Sequence, residues 1–257
     1  LSQPLLGHLD PVFLALMNEI QALLRATFHT QNEFTIALSG TGSAGMEAVI
    51  ANLIEPGDRA IVGVNGVFGT RLATMIERSG GLPIRIEAPW GATIPIEALE
   101  QELARSAPVK AVVLVHAETS TGARQPLEDV GALCRAHDAL LIVDAVTSLG
   151  GIPVEVDTWG IDACYSGTQK CLSCPPGLAP LTVSPRGMGA IRQRHVLPAT
   201  AGTLICRSSP TIGTTTAVPI TTPPRSRCST DFERPCGWCM KRDSRRVPRD
   251  IRSTVMH

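Results

Sequence analysis

The sequence predicts an α/β fold built on a mostly parallel, doubly wound sheet with helices on both faces. Apolar runs alternate with amphipathic segments between residues 34 and 184, the pattern of successive strand–helix units. Runs such as AVVLV at 111–115 and ALLIV at 139–143 have no polar alternation, as strands covered on both faces require. Four polar stretches, SGTGSAG, HAETSTG, DAVTS and SGTQK, each follow a strand-like run. Ligands of open α/β sheets bind beyond the carboxyl ends of the strands, so these stretches predict a crevice.

Each element follows from local pattern. DPVFLALMNEIQALLRATF, from Asp10, has helical periodicity, with Asp10 as N-cap and Pro11 at the first helical position. FTIALSG (34–40) reads as a strand and SAGMEAVIANLIEPG (43–57) as a helix closed by a Pro-Gly turn. AIVGVNG (60–66) is strand-like, and GTRLATMIERSGG (69–81) is a helix stopped by glycines. LPIRIEA (82–88) is a strand and IPIEALEQELARSA (94–107) a helix. VKAVVLVHAE (109–118) reads as one buried strand, followed by a helix in PLEDVGALCRAHD (126–138). ALLIVDAV (139–146), DACYSG (162–167) and LAPLTVS (178–184) complete the strands, and no internal repeat is visible.

The 257 residues carry zero net charge, which gives no reason to expect nucleic acid or an anionic membrane as partner. No apolar run reaches bilayer-spanning length, and LSQPLLGHLD lacks the basic and apolar regions of a secretory signal, so a cytoplasmic location is expected. The neutral total hides a break. Residues 1–200 hold 13 Lys and Arg against 19 Asp and Glu, whereas residues 201–257 hold 10 against 4. That tail has one leucine, nine threonines, nine arginines and four of the eight cysteines, a composition that cannot build a core. The expected division is a folded domain over 1–195 and an anomalous, disordered tail over 196–257.

Three candidates for chemistry fall at strand ends. SGTGSAGME (39–47) joins a strand to a helix; its small residues let backbone N–H groups turn inward, where a helix N-terminus favours an anion. It matches neither nucleotide-loop spacing, and by itself it also reads as a tight turn. Asp144 emerges from an otherwise apolar strand, either as a turn former or as a carboxylate that pairs with a protonated ring nitrogen. Lys170, one of only three lysines, lies in CYSGTQKCLSCPPG (164–177), where a strand gives way to a loop. It is either an exposed turn residue or the Schiff-base lysine that such a ring system needs. A phosphate cradle, an aspartate and a lysine at three strand ends together suggest pyridoxal 5'-phosphate.

The segments SGTGSAGMEA, EPGD, VGVNGVFGTR, HAETSTGARQPL, LLIVDAVTSLGG and GIDACYSGTQKCLSCPPGLAP resemble the class V aminotransferases of fold type I, and within them the alanine–glyoxylate and serine–glyoxylate (serine–pyruvate) branch. The likeness runs from about residue 8 to residue 190 and makes 1–195 the large, cofactor-binding domain. It implies that Lys170 forms the internal aldimine and shuttles a proton, and that Asp144 keeps the pyridinium protonated. Val146 is implied against one ring face and Phe68 stacked on the ring. Thr41, Gly42 and Ser43 correspond to the phosphate loop, with Gln169 reaching the same phosphate, and Thr119 to the partner of the ring hydroxyl. The implied reaction moves an amino group from a small amino acid, alanine or serine, to a 2-oxo acid, glyoxylate. The implied assembly is a homodimer. Gln169 stands where related cysteine desulfurases carry histidine, which favours transamination. Another class V activity such as cysteine desulfuration, or a non-catalytic remnant without the substrate-binding domain, are the alternatives.

Other features have plain readings. Cys171-x-x-Cys174 and Cys236-x-x-Cys239 could be combined into a zinc site, but one pair lies in the family loop and the other in the tail, so no metal is expected. His116 is expected as a satisfied structural histidine, Trp90 as a turn aromatic, and Cys134 and Cys164 as small buried apolar residues. The family continues with a small domain that the tail does not match. Shifted by one base, the tail's residues permit the family's own continuation, including a Tyr-His-His-Thr phosphate motif. A frame shift between about residues 194 and 201 is therefore expected. The resemblance also implies a segment ahead of Leu1 at the mouth of the site.

Overall fold

The structure is a computed structural model and describes residues 6, 7 and 9–196. The anomalous tail, its shifted frame and the Cys236–Cys239 pair lie outside the described residues.

Asp10 and Pro11 open the first helix as expected. The Asp10 carboxylate accepts the Val12 N–H at 2.8 Å, and α1 runs Pro11–Phe28. His29, at φ 49°, closes it by turning the chain into the left-handed region. The order is then β1 (Phe34–Ser39), α2 (Gly42–Leu53), β2 (Arg59–Val64), α3 (Val67–Arg78), β3 (Leu82–Glu87) and α4 (Ile96–Arg105). It continues with β4 (Ala111–Val115), β5 (Ala117–Glu118), β6 (Ala123–Arg124), α5 (Val130–Ala136), β7 (Leu140–Asp144), β8 (Ala163–Tyr165), β9 (Leu178–Val183) and α6 (Pro185–Arg192).

Seven strands form one sheet in the order β1-β9-β8-β7-β4-β2-β3. β3, β2, β4, β7 and β8 are mutually parallel, and β9 runs antiparallel to both β8 and β1. The reversal has a simple cause: the chain passes from β8 to β9 through a loop, with no helix to carry it back across the sheet. Successive residues of the strands face opposite cores. Ala60 and Val62 of β2 pack with Leu72 and Ile76 of α3, while Ile61 between them packs with Leu99 and Leu103 of α4. α2 and α6 share the first face, and α5 and the end of α1 the second. Both faces of β4, β7 and β8 are therefore dry, which is why the sequence shows continuous apolar runs there.

Two features depart from expectation. The run 109–118 is not one strand: it leaves the sheet at His116, whose N–H donates to the Asp144 carbonyl but whose carbonyl accepts from the Gln125 N–H, both at 2.9 Å. Ala117 and Glu118 then pair with Arg124 and Ala123 in a separate hairpin. Helix α6 was not expected from apolar periodicity. It is held by its cap, Ser184, whose hydroxyl accepts the Gly187 N–H at 3.0 Å, with Pro185 just inside. Among the described residues no helix is long and apolar enough to cross a membrane.

Candidate active site

The ends of β1, β4, β7 and β8 and the start of β9 bring the four polar stretches together at one end of the sheet. Asp144, the last residue of β7, is the buried charge there. Its Oδ1 accepts the Val146 N–H at 2.9 Å and its Oδ2 accepts the Tyr165 O–H at 2.7 Å. Burial pushes its carboxyl up to about 6; the Val146 and Tyr165 hydrogen bonds oppose that rise, and the Glu118 charge adds to it. Asp144 is thus both the turn former and the buried carboxylate that the sequence left as alternatives.

Above it lies the start of α2. Thr41 is the N-cap residue in position only, since its side chain makes no capping hydrogen bond. A Cβ on Gly42 would stand 2.7 Å from Val146 Cγ2, so glycine lets the helix start close over Val146. A Cβ on Gly167 would stand 3.0 Å from Gln169 Oε1 and 3.2 Å from the Gly42 nitrogen. Two glycines thereby bring the 41–43 turn, Val146 and Gln169 to one corner. Ser43 is half-buried in the first turn of α2.

Lys170 lies in the loop after β8, exposed, and no hydrogen bond or ion pair engages its amine among the described residues. The loop itself is tied down around it. The Ser173 N–H donates to the Lys170 carbonyl at 2.9 Å, Cys174 N–H to the Thr168 carbonyl at 3.0 Å, and Cys171 Sγ to the Thr147 carbonyl at 3.1 Å. Thr119 donates to Thr147 Oγ1 at 3.1 Å, and Thr147 in turn to the Ala117 carbonyl at 2.6 Å, which joins the β5 end to the turn after β7.

Phe68 is half-buried at the start of α3 and packs on the α2-side core. Its position depends on Glu118, a residue that the sequence reading passed over. The buried Glu118 carboxylate accepts the Phe68 and Gly69 N–H groups at 3.0 and 3.2 Å through Oε2, and the Ser120 hydroxyl at 2.6 Å through Oε1. A carboxylate at a helix N-terminus meets both the free N–H groups and the positive end of the helix dipole. Gly66 makes room for it, since a Cβ there would collide with the Glu118 side chain. Tyr165 was likewise read only as part of a strand. Its signal lay in pairing DAVTS with CYSGTQK, the ends of what prove to be adjacent parallel strands.

The remaining candidates are structural. His116 is buried but not satisfied: among the described residues neither ring nitrogen has a partner, and the ring meets Trp159 edge-on at 5.4 Å. Burial drives its imidazole down to about 4, so it is neutral. Cys134 and Cys164 are buried, and burial pushes the Cys134 thiol up to about 12. Trp90 is an exposed turn residue. No group of three or more metal-type ligands comes together among the described residues.

These residues fit pyridoxal phosphate. The uncapped α2 N-terminus, with a glycine at Gly42 and another at Gly167 where Cβ atoms would intrude, has the free N–H groups and the close backbone that a phosphate would need. Asp144 is a buried carboxylate that a cationic ring nitrogen would hold ionised, and Lys170 offers an unengaged amine from the adjoining loop.

The comparisons agree. Residues 6–203 match the family described as aminotransferase class-V. The chain is 44% identical over 194 residues to the (S)-ureidoglycine–glyoxylate transaminase of Bacillus subtilis, covering 76% of this chain and 46% of that protein. It is 38% identical to the alanine–glyoxylate aminotransferase of Rattus norvegicus over 76% of this chain and 47% of the relative. The crystal structure of an alanine–glyoxylate aminotransferase from Nostoc sp. superposes with a TM-score of 0.77 at 51% identity, covering 79% of this chain and 54% of that one. Pyridoxamine–pyruvate aminotransferase from Mesorhizobium loti superposes with a TM-score of 0.74 at 30% identity, over 80% of this chain and 52% of that one. The chain spans about half the length of the curated relatives it matches. On this match of sequence and fold, the chain belongs to the class-V aminotransferases, a family dependent on pyridoxal phosphate.

Proposed function

We propose that the protein is a pyridoxal-phosphate-dependent transaminase that transfers an amino group from a small amino acid, alanine or serine, to a 2-oxo acid, with glyoxylate as acceptor. The observation that carries this reading is the buried Asp144 carboxylate beside the α2 start, with the Lys170 loop adjoining. The names of relatives that act on glyoxylate support the acceptor. When bound, the cofactor supplies an electron sink for carbanion charge at the substrate α-carbon.

The residues then divide the work. Thr41, Gly42 and Ser43 at the α2 start, with Gln169, bind the phosphate. Asp144 holds the proton on the ring nitrogen, and Thr119 orients the ring through its hydroxyl oxygen. Val146 would lie against one ring face and Phe68 would stack on the ring, and both would exclude water. Lys170 Nζ would hold the cofactor covalently and, once released from it by the substrate amine, would carry the proton to and from the substrate α-carbon. Substrate carboxylate recognition and the small domain fall outside the described residues. The expected homodimer belongs to this proposal; Val12, Leu16 and Leu23, exposed along one side of α1, support it, and a monomer by sedimentation at micromolar concentration would count against it.

The test adds pyridoxal phosphate to the purified protein. A visible absorbance band should form, should be absent in Lys170→Ala, and should bleach with alanine or serine and return with glyoxylate. No band in the wild-type protein would overturn cofactor binding. A band that bleaches with neither amino acid, while cysteine yields sulfide, would overturn transamination in favour of desulfuration.

A further inference from the structure

Tyr165 is the chain's only tyrosine, and it is fully buried. It stands opposite Asp144 in the parallel β7–β8 register, so both side chains project from the same face of the sheet. Its hydroxyl lies 2.7 Å from Asp144 Oδ2. The ring is seated under α2, where a Cβ on Gly45 would stand 3.2 Å from Tyr165 Cβ and 3.3 Å from its Cδ2. Glycine at that helical position therefore leaves space for a large side chain whose hydroxyl ends on the carboxylate.

We infer that Tyr165 is a positioning residue for the cofactor: its phenol O–H holds the Asp144 carboxylate in one orientation and in its ionised form, ready to pair with a protonated ring nitrogen. This rests on the cofactor reading above. The balance of groups around Asp144 explains the need. Burial favours the neutral acid; among the described residues the Val146 N–H and the Tyr165 O–H stand against it. From β5, Glu118 adds a like charge. From β8, Cys164 stays a neutral thiol, and His116 at the β4 end is a neutral imidazole whose backbone N–H serves the Asp144 carbonyl. α2 meets this corner with Gly42 and Gly45, and its single charged residue is the half-buried Glu47. From α3, the Arg71 charge acts on Tyr165, but burial and the neighbouring carboxylate keep the phenol protonated, so it remains a donor. Phenylalanine would fill the same space and leave Oδ2 without this donor.

The test uses the full chain in two states. In the cofactor-free protein, the 13C signal of the Asp144 carboxyl is followed against pH; Tyr165→Phe should raise its midpoint by about one pH unit, the scale of one hydrogen bond to a charged group. With pyridoxal phosphate, the acid limb of the affinity–pH profile should move up by the same amount, with affinity above about pH 8 kept within about twofold. Because position 165 is the sole tyrosine, growth on 3,5-difluorotyrosine, a stronger donor, alters that residue alone and should move both midpoints down. This second variant adds to the phenol and keeps the test open should Tyr165→Phe fold poorly. An affinity loss equal at every pH, or a carboxyl midpoint indifferent to both replacements, would reduce Tyr165 to a packing residue. If wild type binds no cofactor, the functional reading fails while the carboxyl titration still decides the role of Tyr165.

Discussion

At the scale of single residues, the site holds a group that the empty fold would be better without. A carboxyl whose folded value lies above its unfolded one is protonated first in the native state, so acid favours folding. For Asp144 that penalty is absent below about pH 4, grows as pH rises through about 6, and is complete above it. In denaturant unfolding of the cofactor-free protein at pH 8, Asp144→Asn should therefore gain about 2 kcal/mol, a gain that vanishes by about pH 4. His116 titrates in the same window with the opposite sign, but it is present in both proteins and cancels from the difference. The same variant should lose cofactor affinity, as a site that trades stability for function does. Gly42 offers a second test. Its Cβ would press on Val146 at 2.7 Å, and displacing either of them disturbs the cradle. Gly42→Ala should weaken cofactor binding about tenfold, the measure of an overpacking cost of about 1–3 kcal/mol, by equilibrium titration. Asp144 stood out in the sequence because a charge interrupts an apolar run there, and Lys170 because one of only three lysines stands where a strand gives way to a loop. Tyr165 and Glu118 did not, because a strand tyrosine and a glutamate at the end of an apolar run look ordinary until their partners are known.

At the scale of elements, Glu118 links two pieces that local pattern treats as unrelated. It leaves the main sheet with the β5–β6 hairpin and caps α3, whose first turn carries Phe68. Glu118→Gln would keep one acceptor but set an amide N–H2 against either the α3 N–H groups or Ser120. It should cost about 2 kcal/mol in denaturant unfolding and loosen the cofactor in the same protein. The helices were legible where caps or glycines mark them: Asp10 with Pro11 opens α1, and the glycines at 80 and 81 follow α3. α6 was missed although Ser184 and Pro185 form the same kind of opening, because eight residues with three glycine or alanine positions show little apolar period. The break of the 109–118 run at His116 was not legible either. It is made by Gln125, whose N–H takes the His116 carbonyl away from the sheet.

At the scale of the whole molecule, the sheet separates two cores whose members do not overlap, one under α2, α3 and α6 and the other under α4 and α5. Leu72 belongs to the first and Leu103 to the second, and both are fully buried. Leu72→Ala and Leu103→Ala should each lower unfolding stability by about 2–5 kcal/mol, and in the double variant the losses should add within about 0.5 kcal/mol. Strong non-additivity would mean that the sheet transmits packing strain from one face to the other. The sequence alone determined the order of α1–α5 and of the seven strands of the main sheet, the double burial of the central strands and the stretches that carry the site, because periodicity and turn chemistry are local properties. Only the tertiary structure decided which strand ends become neighbours, that β9 runs against the rest, and that Gly45 and Gly66 make space for Tyr165 and Glu118. Those are contacts between residues far apart in the chain. Their geometry is fixed by how the strands are ordered in the sheet, and no local pattern carries that information.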